Sequence, residues 1–309
     1  MADQAEKLRA LIHRASPAAA ALNRELPLIV VSGGRAGVGA TTVALNLAAV
    51  LADRGERALL VDAAEQRNDL IEPAGIRREI DNTLCEVLAG KCSAREAIVA
   101  GPAGVQLIPN RWRPRSSPDF SRRAQQLLLG ELESLEREFD FMVVDAGRGS
   151  TPWTKRLWNR AKLILLVTTP DDAAVLDSYA ALKLGVADAV QLPVRLLVNQ
   201  AEAYEAADAH RRMENACQRF LSRSIPALPA LPRQFDGGFV GAQASPRVWE
   251  MPNTPFGHAA LWLGRAVSDI MSDSIEGSCE ARMKDAGCRG QGQFESVFSE
   301  SHIELRAAC

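Results

Sequence analysis

No stretch of this 309-residue chain approaches the 18 or so consecutive apolar residues of a membrane span, so an integral membrane protein is not expected. The first residues, MADQAEKLRA, alternate polar and charged groups, which does not fit a secretory signal. There is no basic surplus: the formal net charge is −2, and no global field draws the chain to nucleic acid or an anionic membrane. There is no C-x-x-C pair. The six cysteines, Cys85, Cys92, Cys217, Cys279, Cys288 and Cys309, are scattered, and Cys279, Cys288, His302 and Cys309 match no standard zinc spacing. Free thiols in a reducing cytoplasm are the expected state. What remains, 47% hydrophobic and 24% charged, is the composition of an ordinary globular chain.

A further absence sits inside the most informative segment. Leu28–Leu47 reads LIVVSGGRAGVGATTVALNL: an apolar run, a glycine-rich turn, then an amphipathic stretch. A phosphate-binding loop of the form G-x-x-x-x-G-K-[ST] places Gly34 and Gly39 correctly and supplies a hydroxyl at Thr41, but the lysine position holds Ala40. The glycines let backbone N–H groups turn toward phosphate oxygens, with a helix dipole behind them. Thr41 would hold Mg²⁺. A lysine would reach the outer phosphates, and alanine cannot.

The remainder alternates short apolar runs with helical patterns. Strands are predicted at 28–31, 58–61, 105–109, 141–144, 163–168 and 194–198, and helices at 41–53, 83–89, 121–138, 173–189, 206–220 and 258–270. The alternation predicts an α/β fold, a doubly wound and mainly parallel sheet with helices on both faces. Residues 3–15 carry a capping-box pattern, Asp3 with Glu6, and an apolar stripe, Leu8, Leu11 and Ile12, so a short free helix is predicted there. Residues 16–27 read as a linker and 28–271 as the domain. Residues 225–250, rich in proline and glycine, should loop over the carboxyl edge of the sheet. From Ser272 to Cys309 the chain is polar and is read as a flexible tail. Trp153 and Trp158 are expected in the core. Trp262, with Leu263, Val267 and Ile270, is expected to pack there too. Arg111, Arg113 and Arg115 around Trp112 are read as a solvated loop rather than a nucleic-acid surface.

These landmarks, in this order, resemble the MinD/ParA class of deviant P-loop ATPases, and within it the flagellar-number regulators FlhG, FleN and YlxH. The family loop S-G-K-G-G-V-G-K-T corresponds to Gly33–Thr41. LLVDAAEQRNDL at 59–70, FDFMVVDAGRGS at 139–150, LVTTPDDAAVLDSYAALK at 166–183 and LLVNQA at 196–201 correspond to further family segments. The resemblance covers about residues 3–270 and implies ATP and Mg²⁺ as cofactors. It implies nucleotide contacts from Gly34, Arg35, Gly37, Val38, Gly39, Ala40, Thr41, Thr42 and, for adenine, Asn199. It implies a metal-linked role for Thr41 and Asp145, and docking of Asp3, Gln4, Leu8 and Arg9 on an FlhF-like GTPase. An ATP-dependent homodimer is implied as well. Without a basic amphipathic helix at 294–309, direct membrane targeting is not expected. A cytoplasmic protein is, with a partner as the route to the inner membrane face.

Three positions depart from the family pattern. Arg35 stands for a signature lysine that crosses the dimer to the partner's phosphates; arginine keeps the charge and binds phosphate bidentately, so a cross-dimer finger and a merely solvated side chain both stay open. Ala40 replaces the second lysine. Ala64, two residues after Asp62, replaces the aspartate that positions water. Phosphoryl transfer depends on positioning and charge stabilisation, and one preorganised donor contributes roughly 3–4 kcal/mol, so slow or absent hydrolysis is expected. Asp62, its companion gone, is as well explained by structure as by catalysis. Two alternatives remain: an active ATPase rewired through Arg35 with Glu65 or Asp69, and a scaffold that binds no nucleotide, as in cellulose-synthesis accessory proteins.

Overall fold

The computed structural model describes residues 26–65, 70, 71, 74–76, 80–111, 119–149, 151–186, 193–233 and 252–285, with the backbone alone for 274–285. The helix expected at 3–15, and with it Asp3, Gln4, Leu8 and Arg9, lies outside the described residues, as do Asp69, Trp112, Arg113 and Arg115.

Seven strands form one sheet: β1 (Leu28–Gly33), β2 (Ala58–Asp62), β3 (Val99–Ala100), β4 (Gln106–Ile108), β5 (Phe141–Arg148), β6 (Leu163–Thr168) and β7 (Val194–Val198). Their order is β3-β4-β2-β5-β1-β6-β7. All neighbours are parallel except β3 on β4. The antiparallel β3, two residues long, carries too little pattern to be legible in sequence. The helices are α1 (Ala40–Asp53), α2 (Leu84–Leu88), α3 (Arg122–Ser134), α4 (Pro152–Trp158), α5 (Asp172–Val186), α6 (Ala203–Leu221) and α7 (Pro255–Asp285). The doubly wound, mainly parallel architecture is the one the βα alternation predicted.

The apolar runs divide their residues between two core layers, as alternation along a strand requires. In β1, Leu28 and Val30 join Leu59, Val61, Leu128 and Trp158 on one face. Ile29 and Val31 join Leu60, Leu47, Phe256 and Val267 on the other. Helix α1 buries Val43, Leu47 and Leu51 there. Helix α7 lies close to it, for a side chain at Gly264 would meet Val50 Cγ1 at 2.3 Å.

Two expectations need correction. The last helix starts at Pro255 and runs to Asp285, well past Ile270. Its continuation, SDSIEGSCEARMKD, is polar but contains no proline and several good helix formers, and polarity alone does not end a helix. The chain divides between Met271 and Ser272, and α7 crosses that boundary. Trp262 is not a core residue: it is 64% exposed. The buried stripe of α7 is Ala260, Leu263, Val267 and Met271, and Trp262 lies instead on the face of His258 and Arg265.

Trp153 and Trp158 are in the core, with 0% and 1% exposure. Trp158 occupies space made by a glycine in the last turn of α5: a Cβ on Gly185 would lie 2.2 Å from its Cζ3 and 2.5 Å from its Cε3. Glycine inside a helix costs about 1 kcal/mol relative to alanine, so Gly185→Ala should stabilise unless sterics reverse the sign. We expect them to reverse it, with a net destabilisation of roughly 1–2 kcal/mol from overpacking. In a Trp158→Phe background, which lacks the clashing atoms, the same change should be neutral or stabilising. A double-mutant cycle by urea unfolding checks this, and additive effects would contradict it.

Candidate nucleotide-binding site

β1 sits between β5 and β6, where the sheet changes winding direction, and the crevice at the carboxyl ends of its strands is where α/β sheets hold ligands. The loop from Gly33 to Ala40 lies in it. Gly37 and Gly39 take φ of 86° and 87°, a left-handed conformation that glycine alone adopts freely. Gly39 caps α1 without a side-chain hydrogen bond, and the first turn holds no acid. The first turn of α1 thus brings its N–H groups and positive dipole end to the loop with no acidic residue of its own, a setting suited to a phosphate.

The carbonyls of this loop are tied back to the end of β7. Asn199 Nδ2 donates to Val38 O at 2.8 Å, and Gln200, itself at φ 57°, reaches Gly37 O with Nε2 at 3.5 Å. Gly34 rests on the α5 backbone, since a Cβ there would meet Ser178 N at 2.3 Å. Asn199, expected at adenine, thus spends its amide N–H on the loop itself. Ala40 is 8% exposed and joins Val38 and Val43 in the apolar layer. Thr41 and Thr42 follow in the first turn, both half-buried.

Behind the loop, Asp62 at the end of β2 and Asp145 within β5 stand in direct register, both fully buried. Asp145 Oδ1 accepts the Gly147 N–H at 3.0 Å. Its Oδ2 meets no hydrogen-bond donor among the described residues. Burial pushes the Asp145 carboxyl above the ordinary carboxylate range, opposed by hydrogen bonds from the Thr41 hydroxyl and the Gly147 N–H. An unmatched buried carboxylate oxygen beside a threonine hydroxyl suits a hard cation. Among the described residues no group of three or more His, Cys, Asp and Glu side chains is placed to hold a metal ion. Asp62 is partly structural, because its Oδ2 accepts the Leu70 N–H at 3.4 Å and anchors the segment after β2.

That segment is held shut. The Ala63 N–H donates to Asp145 O at 2.9 Å, Trp153 Nε1 donates to Ala63 O at 2.9 Å, and Asn110 Nδ2 approaches Ala64 O at 3.5 Å. Ala64 is 0% exposed. A cleft of about 580 Å³ opens beside the loop, lined by Arg35, Gly37, Val38, Pro170, Gln200 and Arg233 among others. Its volume falls in the range of small-molecule sites. Arg35 lies at its rim, 3.7 Å from Asp171 and 3.7 Å from Asp177, with its side chain 45% exposed. Asp171 is held below the usual carboxylate range, chiefly by the Thr169 hydroxyl and then by the Ala174 N–H. In this conformation Arg35 engages its own chain.

Sequence reasoning missed Asp171, Asp177, Gln200, Arg233, Asn110 and the indole of Trp153. Asp171 and Asp177, within the family-like stretch 166–183, and Gln200, next to Asn199 at a strand end, left a local signal. The others arrive through long-range packing.

A sequence model for the family described as an AAA domain matches residues 27–194. The chain belongs to this family, in its MinD/ParA class of P-loop ATPases, near FlhG and FleN. It is 27% identical over 262 residues to the antiactivator FleN of Pseudomonas aeruginosa, covering 78% of this chain and 93% of that one. It is 26% identical over 185 residues to the flagellum site-determining protein YlxH of Helicobacter pylori, but spans only 62% of that relative and 60% of itself. MinD of Pyrococcus horikoshii, solved with Mg-ADP, shares the fold with a TM-score of 0.65 at 21% identity, over 80% of this chain and 98% of that one. No helix among the described residues is long and apolar enough to cross a membrane.

Proposed function

We propose that this MinD/ParA-class chain is a nucleotide-dependent regulator of the FlhG type, binding ATP with Mg²⁺ and hydrolysing it slowly or not at all. The observation that carries the reading is the uncapped first turn of α1 at Gly39, set beside a buried Asp145 oxygen that no described donor satisfies. One receives phosphate; the other, with Thr41, suits the metal. Gly34, Gly37, Val38, Thr41 and Thr42 would cradle the phosphates, and Asn199 would hold the loop's shape, with its remaining oxygen available to a base. Mg²⁺, when bound, would neutralise phosphate charge that a lysine at position 40 would otherwise meet. Ala64 offers no group to orient water, and Ala40 none to stabilise the leaving phosphate. Relatives named as an antiactivator and a flagellum site-determining protein support flagellar placement or number as the process. To this the proposal adds, from the family resemblance of the sequence alone, an FlhF-like GTPase as partner through residues 3–15 and an ATP-dependent homodimer as the active form.

The partner claim is tested by titrating such a GTPase with the full chain and with a form lacking residues 1–15, in the presence of Mg-ATP. We expect at least about tenfold weaker binding on truncation, since an apolar helix stripe of three residues contributes more than 1.4 kcal/mol. Equal affinities would remove the N-terminal helix from the account and leave the nucleotide site standing.

A further inference from the structure

Helix α4 follows the Asp145 segment and is only seven residues long, yet it carries two fully buried tryptophans. Their indole N–H groups leave it in different directions. Trp153 Nε1 donates to Ala63 O at 2.9 Å, on the segment after β2. Trp158 Nε1 donates to Ser32 Oγ at 3.2 Å, on β1 where it enters the glycine loop. Trp158 also lies against Gly149, where a Cβ would sit 3.1 Å from its Cζ2, and the Gly149 N–H donates to Gly33 O at 2.8 Å. Thr154 Oγ1 closes the helix back onto Arg148 O at 3.1 Å. One short helix thus holds the three segments that flank the phosphate site: Ser32–Gly33, Ala63–Ala64 and Arg148–Gly149.

The contacts are costly to make. Gly185 forgoes a side chain inside α5 to admit the indole of Trp158. Two buried N–H groups must each find an acceptor, and each acceptor found lies beside the phosphate site, although tryptophans packing only for bulk could satisfy their N–H groups on any nearby carbonyl. The Ala63 peptide is fixed from both sides, its N–H on Asp145 O and its carbonyl on Trp153, so it cannot shift without moving either β5 or α4.

The geometry points to Trp153 and Trp158 as positioning residues that bind the three flanking segments to α4, so that occupancy of the glycine loop is transmitted to this helix. The inference rests on the nucleotide-binding reading above. It gives a protein that hydrolyses slowly a way to report its bound state without a turnover cycle.

The test uses the full chain with Trp112, Trp249 and Trp262 replaced by Phe, so that emission comes from Trp153 and Trp158 alone. The probe is AMPPNP with Mg²⁺, and calorimetry establishes binding independently. We expect the emission to change on binding. We also expect that Trp153→Phe, which keeps an aromatic ring and removes the indole N–H, loosens Ala63 by freeing its carbonyl, raises hydrogen exchange of the Ala63 amide about tenfold and abolishes its response to AMPPNP. The emission measurement retains Trp153 and so decides the matter even if Trp153→Phe folds poorly. Binding of AMPPNP without any emission change, or with Ala63 exchange identical in Trp153→Phe and its parent, would overturn the relay and leave the nucleotide reading intact. Absence of AMPPNP binding would overturn both.

Discussion

Phosphate release by the double variant Ala40→Lys/Ala64→Asp should exceed that of the unaltered chain by two to three orders of magnitude, taking roughly 3–4 kcal/mol for a preorganised donor. The two substitutions would act at different points of the reaction. Position 40 opens α1 beside the uncapped loop, where a lysine chain could leave the apolar layer and bring its ammonium to the outer phosphates. On its own, Ala40→Lys should tighten nucleotide binding about tenfold or more, the strength of one charge-assisted contact, with a smaller gain in turnover. Position 64 is fully enclosed, on a segment that begins at buried Asp62 and is hydrogen-bonded to Asp145. Ala64→Asp alone therefore adds a third carboxylate to a closed region and should cost about 2 kcal/mol or more of stability without nucleotide. Single-turnover phosphate release and thermal unfolding of the three variants check the set. A double variant no faster than its parent would show that these alanines are not what limits hydrolysis.

Asp145→Asn should separate stability from binding and move them in opposite directions. The Asp145 carboxyl titrates above its ordinary range because burial disfavours the charged form. A group whose folded pKa is raised favours folding at low pH, and that contribution is lost as pH rises from the unfolded value, near 3.9, through the folded one. At neutral pH without metal the burial of Asp145 therefore opposes folding. Asp145→Asn, which keeps an oxygen for the Gly147 N–H, should then be more stable than the parent at pH 8 in chelator, with the gap closing below about pH 4 where both states are protonated. Mg²⁺ should stabilise the parent and not the variant. Nucleotide affinity should fall on the order of a hundredfold, equivalent to roughly 3 kcal/mol for the lost charged contact. Urea unfolding at both pH values, with and without Mg²⁺, carries the test. A variant less stable than its parent at pH 8 in chelator would mean that Asp145 is a net structural asset and not a charge awaiting a cation.

Much of the scaffold was legible because its physics is local. Leu28–Val31, Leu163–Thr168 and Val194–Val198 read as strands since strands covered on both faces must be apolar throughout. The glycine loop was legible from the spacing of Gly34, Gly39 and Thr41, and Gly39 does occupy a backbone conformation that other residues avoid. What stayed hidden depends on contacts between distant residues. No local pattern announces that Arg35 meets Asp171 and Asp177, or that Asn199 clasps Val38 across the crevice. The indoles of Trp153 and Trp158 were placed in the core by size, but their N–H partners belong to strands far away in sequence. Trp262 misled because an apolar residue one position off a buried helix stripe looks the same in sequence as one on it.

A nucleotide switch that works by occupancy stands or falls on calorimetric titration of the full chain with ATP, with and without Mg²⁺, while phosphate release is followed in parallel. The account predicts micromolar binding that disappears in chelator, with turnover far below the roughly 1 s⁻¹ at the low end of typical enzymes. No binding heat from folded protein, or phosphate release at that ordinary rate, would contradict it.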